Sequence, residues 1–579
     1  MLSKKVQLND NAEKVATARY FMDEEDWETC TERVADTAAL PEGDRKSKYK
    51  DLFHDMLYCQ DFLCGGRILR NSRRSRGSLF NCYHLPIGDS IEEIGDFYRD
   101  ALILWSEGGG VGCNFSPLRP KDDPILGKGG KSSGLVSWIE GANAIAQLIE
   151  SGGARRAAAI GHVDISHPEI LNFIDAKTVH GKLSHFNISV AVTDEFLEAV
   201  ETDDLWEFKF KQKSYGKMKA RLIWNKIVDN MIQYAEPGLL NWNNFSKNNS
   251  FYFEPVLGTN PCGETTLGPY GVCDLGSLVL PNFITGNVNT NWKKLETTIK
   301  LAIRFLDNII DVNKYTLKQI DINAHNSRRI GLGILGVAEY LFAKKVRYGS
   351  DKANVELDRL MRFIRDAAYQ ASVELAIEKG SFPKFDPVQF GKASFVRKLP
   401  ASLRMDIKRF GIRNTTIMAL APTGTISLLT DYTNGIEPLY SKAYLRHDRV
   451  SDRVYIHPKY EEFLKSGEPI PDWYVDSFDL TPKDHFEVQV IMQRYTDGSV
   501  SKTINLPKET TGEDLSKLLL EYIHDLKGVT VYRDGSRPGQ ILNKLTDNDV
   551  KEYMKKQDTV IERHMVEQDV ECATGSCQI

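Results

Sequence analysis

The sequence predicts an α/β protein with a mainly parallel interior sheet, preceded by a helical N-terminal region. Helical and strand-like runs alternate over roughly 450 residues, the pattern of strands joined by crossover helices. The strand-like runs are apolar and bounded by turn residues, as in Phe186–Val192 and in the run from Ile417 to Ala421. With 579 residues the chain can bury a large interior.

From the start of the chain, Ala12 to Phe21, Asp26 to Leu40 and Tyr49 to Phe62 carry apolar residues at three- and four-residue steps between charged ones, so each reads as an amphipathic helix. The run Gly77-Ser78-Leu79-Phe80-Asn81-Cys82 then delivers a thiol at the end of a strand-like stretch. Glu107 to Pro120 is dense in glycine, but Phe115 stands where a dinucleotide fingerprint needs its third Gly. Gly127 to Ser132 likewise fails as a P-loop, because Ile125 occupies the position of its first Gly. His167 to about Lys177 reads as helical, and Trp292 to about Asn313 as a long amphipathic helix followed by Asn326-Ser327-Arg328-Arg329-Ile330-Gly331. The run from Ile417 ends in Pro422-Thr423-Gly424-Thr425-Ile426-Ser427, a hydroxyl- and Gly-rich turn with the chemistry of an anion site at a helix start. After Leu545 the chain becomes polar and charged, which predicts a mobile segment ending in Cys572 and Cys577.

Composition narrows the function. There are 74 basic and 79 acidic residues, for a net charge of −5, and no basic stripe of the kind that binds nucleic acid. No signal-type leader and no run of about 18 apolar residues appears, so a cytoplasmic protein without membrane partners is expected. Nine cysteines at long spacings argue for reduced thiols with chemistry to perform. Cys59 with Cys64, and Cys572 with Cys577, share a four-residue gap, but structural zinc favours a two-residue gap, and no bound structural metal is expected.

Chemistry concentrates at Asn260-Pro261-Cys262-Gly263-Glu264, with a second thiol at Cys273. Pro261, Gly263, Gly268, Pro269 and Gly271 bend the stretch, bringing two thiols, a carboxylate and a carboxamide into one small space. A thiol can yield a proton, an electron or a hydrogen atom, and a neighbouring carboxylate can accept a proton from a bound hydroxyl.

This motif resembles the active-site finger loop of ribonucleotide reductase, and the order of the other motifs from about Ala18 onward agrees. The resemblance implies a ten-stranded α/β barrel with the Cys262 loop through its middle. It divides the chain into a helical region over 1–76, a barrel over 77–545 and a redox tail over 546–579. It further implies that Cys262 carries a thiyl radical, that Glu264 and Asn260 handle the ribose hydroxyls, and that Cys82 and Cys273 close to a disulfide as the 2′-hydroxyl leaves. Cys572 and Cys577 would reopen that disulfide and be reduced in turn by thioredoxin or a similar dithiol.

By the same resemblance Thr423, Gly424, Thr425 and Ser427 would hold substrate phosphates, with Asn81 and Ser116 as further substrate contacts. Lys128 and Lys131, with Arg155 and Arg156, would lie on two loops that sense a deoxynucleotide effector. The substrate would be a ribonucleoside di- or triphosphate, and the chain a monomer or homodimer. Cys113 has no implied role. Adenosylcobalamin is the favoured radical source, because the iron-dependent branch uses two adjacent tyrosines and Tyr532 stands between Val531 and Arg533. The alternatives are the catalytic subunit of an iron- or manganese-dependent reductase and a non-catalytic nucleotide-binding regulator.

Overall fold

In the computed structural model the described residues are 6–557, apart from 126–128, 152–154, 180, 287, 448–451, 535 and 537–541. The N-terminal helices are Asp10–Arg19, Trp27–Ala38 and Lys46–Tyr58, each within a few residues of its expected span. The second begins with a capping box between Asp26 and Thr29 and buries Cys30, Val34, Ala35 and Ala38 on one side. Its charged Arg33 is turned into structure, donating to Glu25 and to the carbonyls of Leu69 and Ser72.

The interior is a ten-stranded sheet with helices against it, as the alternation predicts. The strands Cys82–His84, Gly110–Asn114, Ala158–Asp164, Phe186–Val192 and Gly238–Asn241 pair parallel in that order. Gly238–Asn241 then pairs antiparallel with Gly528–Arg533, which pairs parallel with Thr503–Leu506. On the other side Cys82–His84 pairs antiparallel with Val272–Val279, which pairs parallel with Ile330–Leu335.

Residues 416–420 span the remaining gap. The Ala419 N–H donates to Leu332 O (3.1 Å), and the Leu420 N–H donates to Ser499 O (3.1 Å). Parallel bridges at Leu332–Met418 and Leu420–Val500 accompany these bonds, so the pairing runs from Ile330–Leu335 through this segment to Val500, just ahead of Thr503–Leu506. Asp497 pins this segment by accepting from Ile417 N (2.9 Å), Met418 N (2.8 Å) and the Tyr369 hydroxyl (2.6 Å). A buried carboxylate so placed satisfies backbone donors that a short strand leaves open.

The finger hairpin, Gly258–Thr259 against Thr266–Leu267, lies inside this ring. It touches both antiparallel halves: the Asn187 side chain donates to Pro261 O, and the Ser499 N–H donates to Glu264 O (2.7 Å). The approach is close enough to require glycine at 112, where a Cβ would overlap the carbonyl oxygen of Thr259. Gly112→Ala is therefore expected to cut turnover at least about 100-fold by displacing the loop. Gly391→Ala, where nothing lies within 4 Å, serves as the neutral control, with circular dichroism confirming that both variants fold.

Order continues past the expected boundary at 545. Residues Asp547–Gln557 form a helix, which Thr546 caps by accepting from the Asp549 N–H (3.3 Å). Val550 is fully buried in a small core with Tyr460, Phe463 and Tyr474. The polar composition hid this single anchoring residue. Cys572 and Cys577 lie outside the described residues. No described helix is long and apolar enough to cross a membrane.

Candidate active site

Cys82 and Cys273 are directly opposed partners across an antiparallel pair. Such residues have Cα atoms roughly 4.5–5.5 Å apart, within the span of a disulfide. Both thiols are free, and both sit with Leu275, Ala419 and Ala421 in a small apolar cluster.

The finger loop brings its polar groups to the same place. Asn260 is fully buried, and its Oδ1 accepts from the Thr265 N–H (3.1 Å) and hydroxyl (2.8 Å). That fixes the amide so that its Nδ2 donates to the Cys82 sulfur (3.2 Å). The Cys82 thiol in turn donates to Glu264 Oε1 (3.5 Å), while Glu264 Oε2 has no hydrogen-bond partner among the described residues. Gly263, at φ 79°, makes the turn that puts Cys262 and Glu264 on the tip together.

Electrostatics follow from burial. Glu264 is fully buried, and loss of water raises its carboxyl to about 7, so that it exchanges protons near neutral pH. Burial, and then the Glu264 charge, push the Cys82 thiol well up; burial and Asp274 do the same to Cys273. Both sulfurs are thus held as thiols, the form that gives up hydrogen. Cys262 differs in being partly exposed. It lines a cavity with Asn187, Ser189, Gly263, Thr503 and Thr530. The tip of the loop is therefore open to that cavity, while Asn260 and Glu264 of the same loop are buried.

The other expected residues are distributed unevenly. Asn81 adjoins Cys82, is buried, and its Oδ1 has no hydrogen-bond partner among the described residues. Thr423 takes a left-handed φ of 54° and its hydroxyl accepts from the Gly435 N–H (2.7 Å). The expected helix start after it is a single 3₁₀ turn, Ser427–Leu429, so Gly424, Thr425 and Ser427 lie on a folded turn and not on a helix end. An α-helix does not follow because this turn is held by tertiary bonds: Gln60 Nε2 donates to Leu429 O (2.8 Å), and Glu339 accepts from the Thr433 N–H (3.0 Å).

Ser116 follows the strand Gly110–Asn114 in a turn. Its hydroxyl accepts from the Asp164 N–H (2.8 Å).

Lys131 lies in the loop that follows this turn and pairs loosely with Asp122 (3.8 Å). Arg155–Arg156 pairs with Glu150–Ser151 in a hairpin that leads into Ala158, the residue opposed to Gly110 at the Cys82 end. Lys128 lies outside the described residues. Cys113 is buried in the main core.

Sequence reasoning missed a set of buried charged and imidazole groups around the loop. His84 and His162 are fully buried with ring centroids 6.2 Å apart, and a Cβ on Gly258 would lie 2.6 Å from His84 Nε2. Asp497 and Arg329 are similarly hidden. His84 and His162 lie in strands, Asp497 and Arg329 just outside them, and only the pairing of the strands shows that all four face inward.

Residues 6–77 match the family model "Ribonucleotide reductase, all-alpha domain", and residues 80–532 match "Ribonucleotide reductase, barrel domain". Among characterised proteins, the chain is 32% identical to the vitamin B12-dependent ribonucleoside-diphosphate reductase of Thermoplasma acidophilum, covering 92% of this chain and 72% of that one. It is 34% identical to the vitamin B12-dependent ribonucleoside-diphosphate reductase of Mycobacterium tuberculosis strain CDC 1551, covering 86% and 73%. Similarity to the ribonucleoside-diphosphate reductase subunit alpha of Chlamydia pneumoniae is lower, at 25% over 84% of this chain and 55% of that one.

Proposed function

The chain belongs to the ribonucleotide reductase family and reduces ribonucleotides, and from that premise we propose that it does so with adenosylcobalamin, on a ribonucleoside diphosphate, through Cys262. The observation that carries this reading is that the partly exposed Cys262 lines the cavity of Asn187, Ser189, Thr503 and Thr530, on the same short loop whose Asn260 and Glu264 are hydrogen-bonded to Cys82.

A partly exposed thiol fits a radical source that must approach it directly, and Asn187, Ser189, Thr503 and Thr530 line the space beside it. Adenosylcobalamin supplies, when bound, a carbon-centred radical able to take hydrogen from a thiol. The diphosphate preference rests on the similarity to enzymes named for that substrate.

In the proposed reaction Cys262, as a thiyl radical, takes the hydrogen from the ribose 3′ carbon, and Glu264 takes the 3′-hydroxyl proton. Asn260 holds the hydroxyls, its orientation fixed by Thr265. The 2′-hydroxyl leaves as water with a proton from one thiol of the Cys82–Cys273 pair. The pair donates two electrons and closes to a disulfide, and Cys262 returns the hydrogen to the 3′ carbon. Exclusion of water around the buried loop protects the radical throughout.

Thr423, Gly424, Thr425 and Ser427 are proposed to hold the phosphates. Lys128 and Lys131 with Arg155 and Arg156 are proposed to sense a deoxynucleotide effector; Lys131 precedes the helix Leu135–Gln147, and Arg155–Arg156 follow it. The helical region over 1–76, the barrel and the segment after 545 then serve as support, catalyst and reducing arm.

Cys572 and Cys577 are proposed to reopen the barrel disulfide and to be reduced by thioredoxin. The double variant Cys572→Ser, Cys577→Ser is expected to complete one turnover from the reduced state and then stop with thioredoxin as donor. Dithiothreitol restores turnover by reaching the barrel directly. Sustained turnover of the double variant with thioredoxin would rule out the arm.

A further inference from the structure

Arg328 and Arg329 stand side by side before Ile330–Leu335, and the fold uses them differently. Arg328 closes the helix Lys318–Ser327 in a left-handed conformation and spends its guanidinium on Asp307 (2.7 Å) and Asp311 (2.7 Å). Arg329 is 2% exposed, bonds Glu254 through Nη2 (3.1 Å) and lies 4.8 Å over the Phe251 ring. Its Nε and Nη1 have no hydrogen-bond partner among the described residues. A guanidinium buried with two open donors is costly unless something beside it gains from the charge.

Strand register identifies that neighbour. Asp274 opposes Ile330, so Arg329 sits beside Cys273 on the adjoining strand. Side chains alternate along a strand, which puts Arg329 on the same face as Gly331. A Cβ at Gly331 would come within 3.1 Å of the Cys273 sulfur, so the sulfur rests on that shared face. The other charges that act on Cys273 are Asp274, Glu264 and Asp497, all acidic. They push its thiol up together with burial, whereas Arg329 acts the other way.

We propose that Arg329 is a positioning residue for regeneration of the reduced enzyme, its charge making Cys273 the sulfur that leaves when the Cys82–Cys273 disulfide is opened. The proposal rests on the pairing of those two cysteines described above. One thiolate of an incoming dithiol attacks the Cys82 sulfur; the Cys82–Cys273 bond breaks, and its electron pair stays on Cys273 as a thiolate beside Arg329. The second donor thiolate then attacks the mixed disulfide and releases Cys82. The donor ends as a disulfide, and its two protons end on Cys82 and Cys273. The Glu264 carboxylate beside Cys82 disfavours a thiolate there, and a better-stabilised leaving thiolate departs faster, so both charges direct the bond to open in the same sense.

The test uses the full-length Cys572→Ser, Cys577→Ser chain, its barrel pair oxidised with diamide and verified by peptide mapping, then reopened with dithiothreitol. Arg329→Gln is expected to slow reopening roughly tenfold, with the first turnover of the pre-reduced chain within about twofold of the parent. Arg329→Lys, which keeps the charge, restores most of the rate. Glu254→Gln removes the counter-charge and reopens at least as fast as the parent, which decides the matter should Arg329→Gln fail to fold. Unchanged reopening in Arg329→Gln, or slowed reopening in Glu254→Gln, would overturn the proposal while leaving the cysteine pairing intact. Failure of the parent to form a Cys82–Cys273 disulfide would overturn the pairing, and this proposal with it.

Discussion

Cys262→Ser abolishes ribonucleotide reduction, with turnover falling at least about 10⁴-fold, while nucleotide affinity stays within about twofold. The size follows from what is removed. A serine hydroxyl holds its hydrogen too strongly to form the radical, and no other sulfur of the loop tip replaces it, because Cys82 and Cys273 are enclosed in their own apolar cluster. Binding survives because the proposed phosphate contacts at 423–427 lie on a separate segment held by Gln60 and Glu339. Product analysis beside equilibrium dialysis separates the two effects, and multiple turnovers in the variant would remove Cys262 from the reaction.

Glu264→Gln has the second large effect, and it runs in opposite directions for activity and stability. Loss of a positioned base lowers turnover by roughly 10²- to 10⁴-fold. For stability, the folded-state carboxyl titrates at about 7 against an ordinary 4.5, because burial disfavours its charge. A raised value means that the folded protein holds the proton more tightly than the unfolded chain does. The associated stability is fully present below about 4.5 and is lost as pH rises through about 7. At pH 8 the parent thus carries a buried charge costing on the order of 3 kcal/mol, which the neutral amide avoids. Glu264→Gln is expected to be the more stable protein at pH 8 and to converge with the parent near pH 5. Denaturant unfolding at the two pH values checks this, and equal stabilities at pH 8 would mean that Glu264 is not held against its charge.

The parts legible in the sequence are those whose signals are local. Amphipathic spacing located the helices between Asp10 and Tyr58, and the spacing of Asn260, Cys262 and Glu264 marked the loop tip. Pairing partners and strand ends are set by the ring as a whole, and there the sequence was silent or misleading. Ser116 lies in a turn after the strand Gly110–Asn114, and its neighbours in sequence do not say which end of that strand it follows. Thr423 to Ser427 read as a helix start, but tertiary bonds fold it into a 3₁₀ turn. One buried valine at 550 extends order into a stretch that composition marks as mobile. Arg328 and Arg329 are adjacent in sequence, and only their different partners and the register against Cys273 distinguish them.

The radical source is the claim on which the rest of the chemistry depends. Tyr532 is nearly buried on Gly528–Arg533, between Val531 and Arg533, without an adjacent tyrosine in sequence to extend a relay. Tyr532→Phe is accordingly expected to keep the parent's turnover with adenosylcobalamin. The most direct measurement incubates the purified full-length chain with adenosylcobalamin, a ribonucleoside diphosphate and dithiothreitol, with no second protein, and assays for the deoxyribonucleotide. Multiple turnovers that vanish when the cobalamin is omitted are the expected result; no product with the cobalamin, and product only once an iron- or manganese-containing subunit is added, would contradict it.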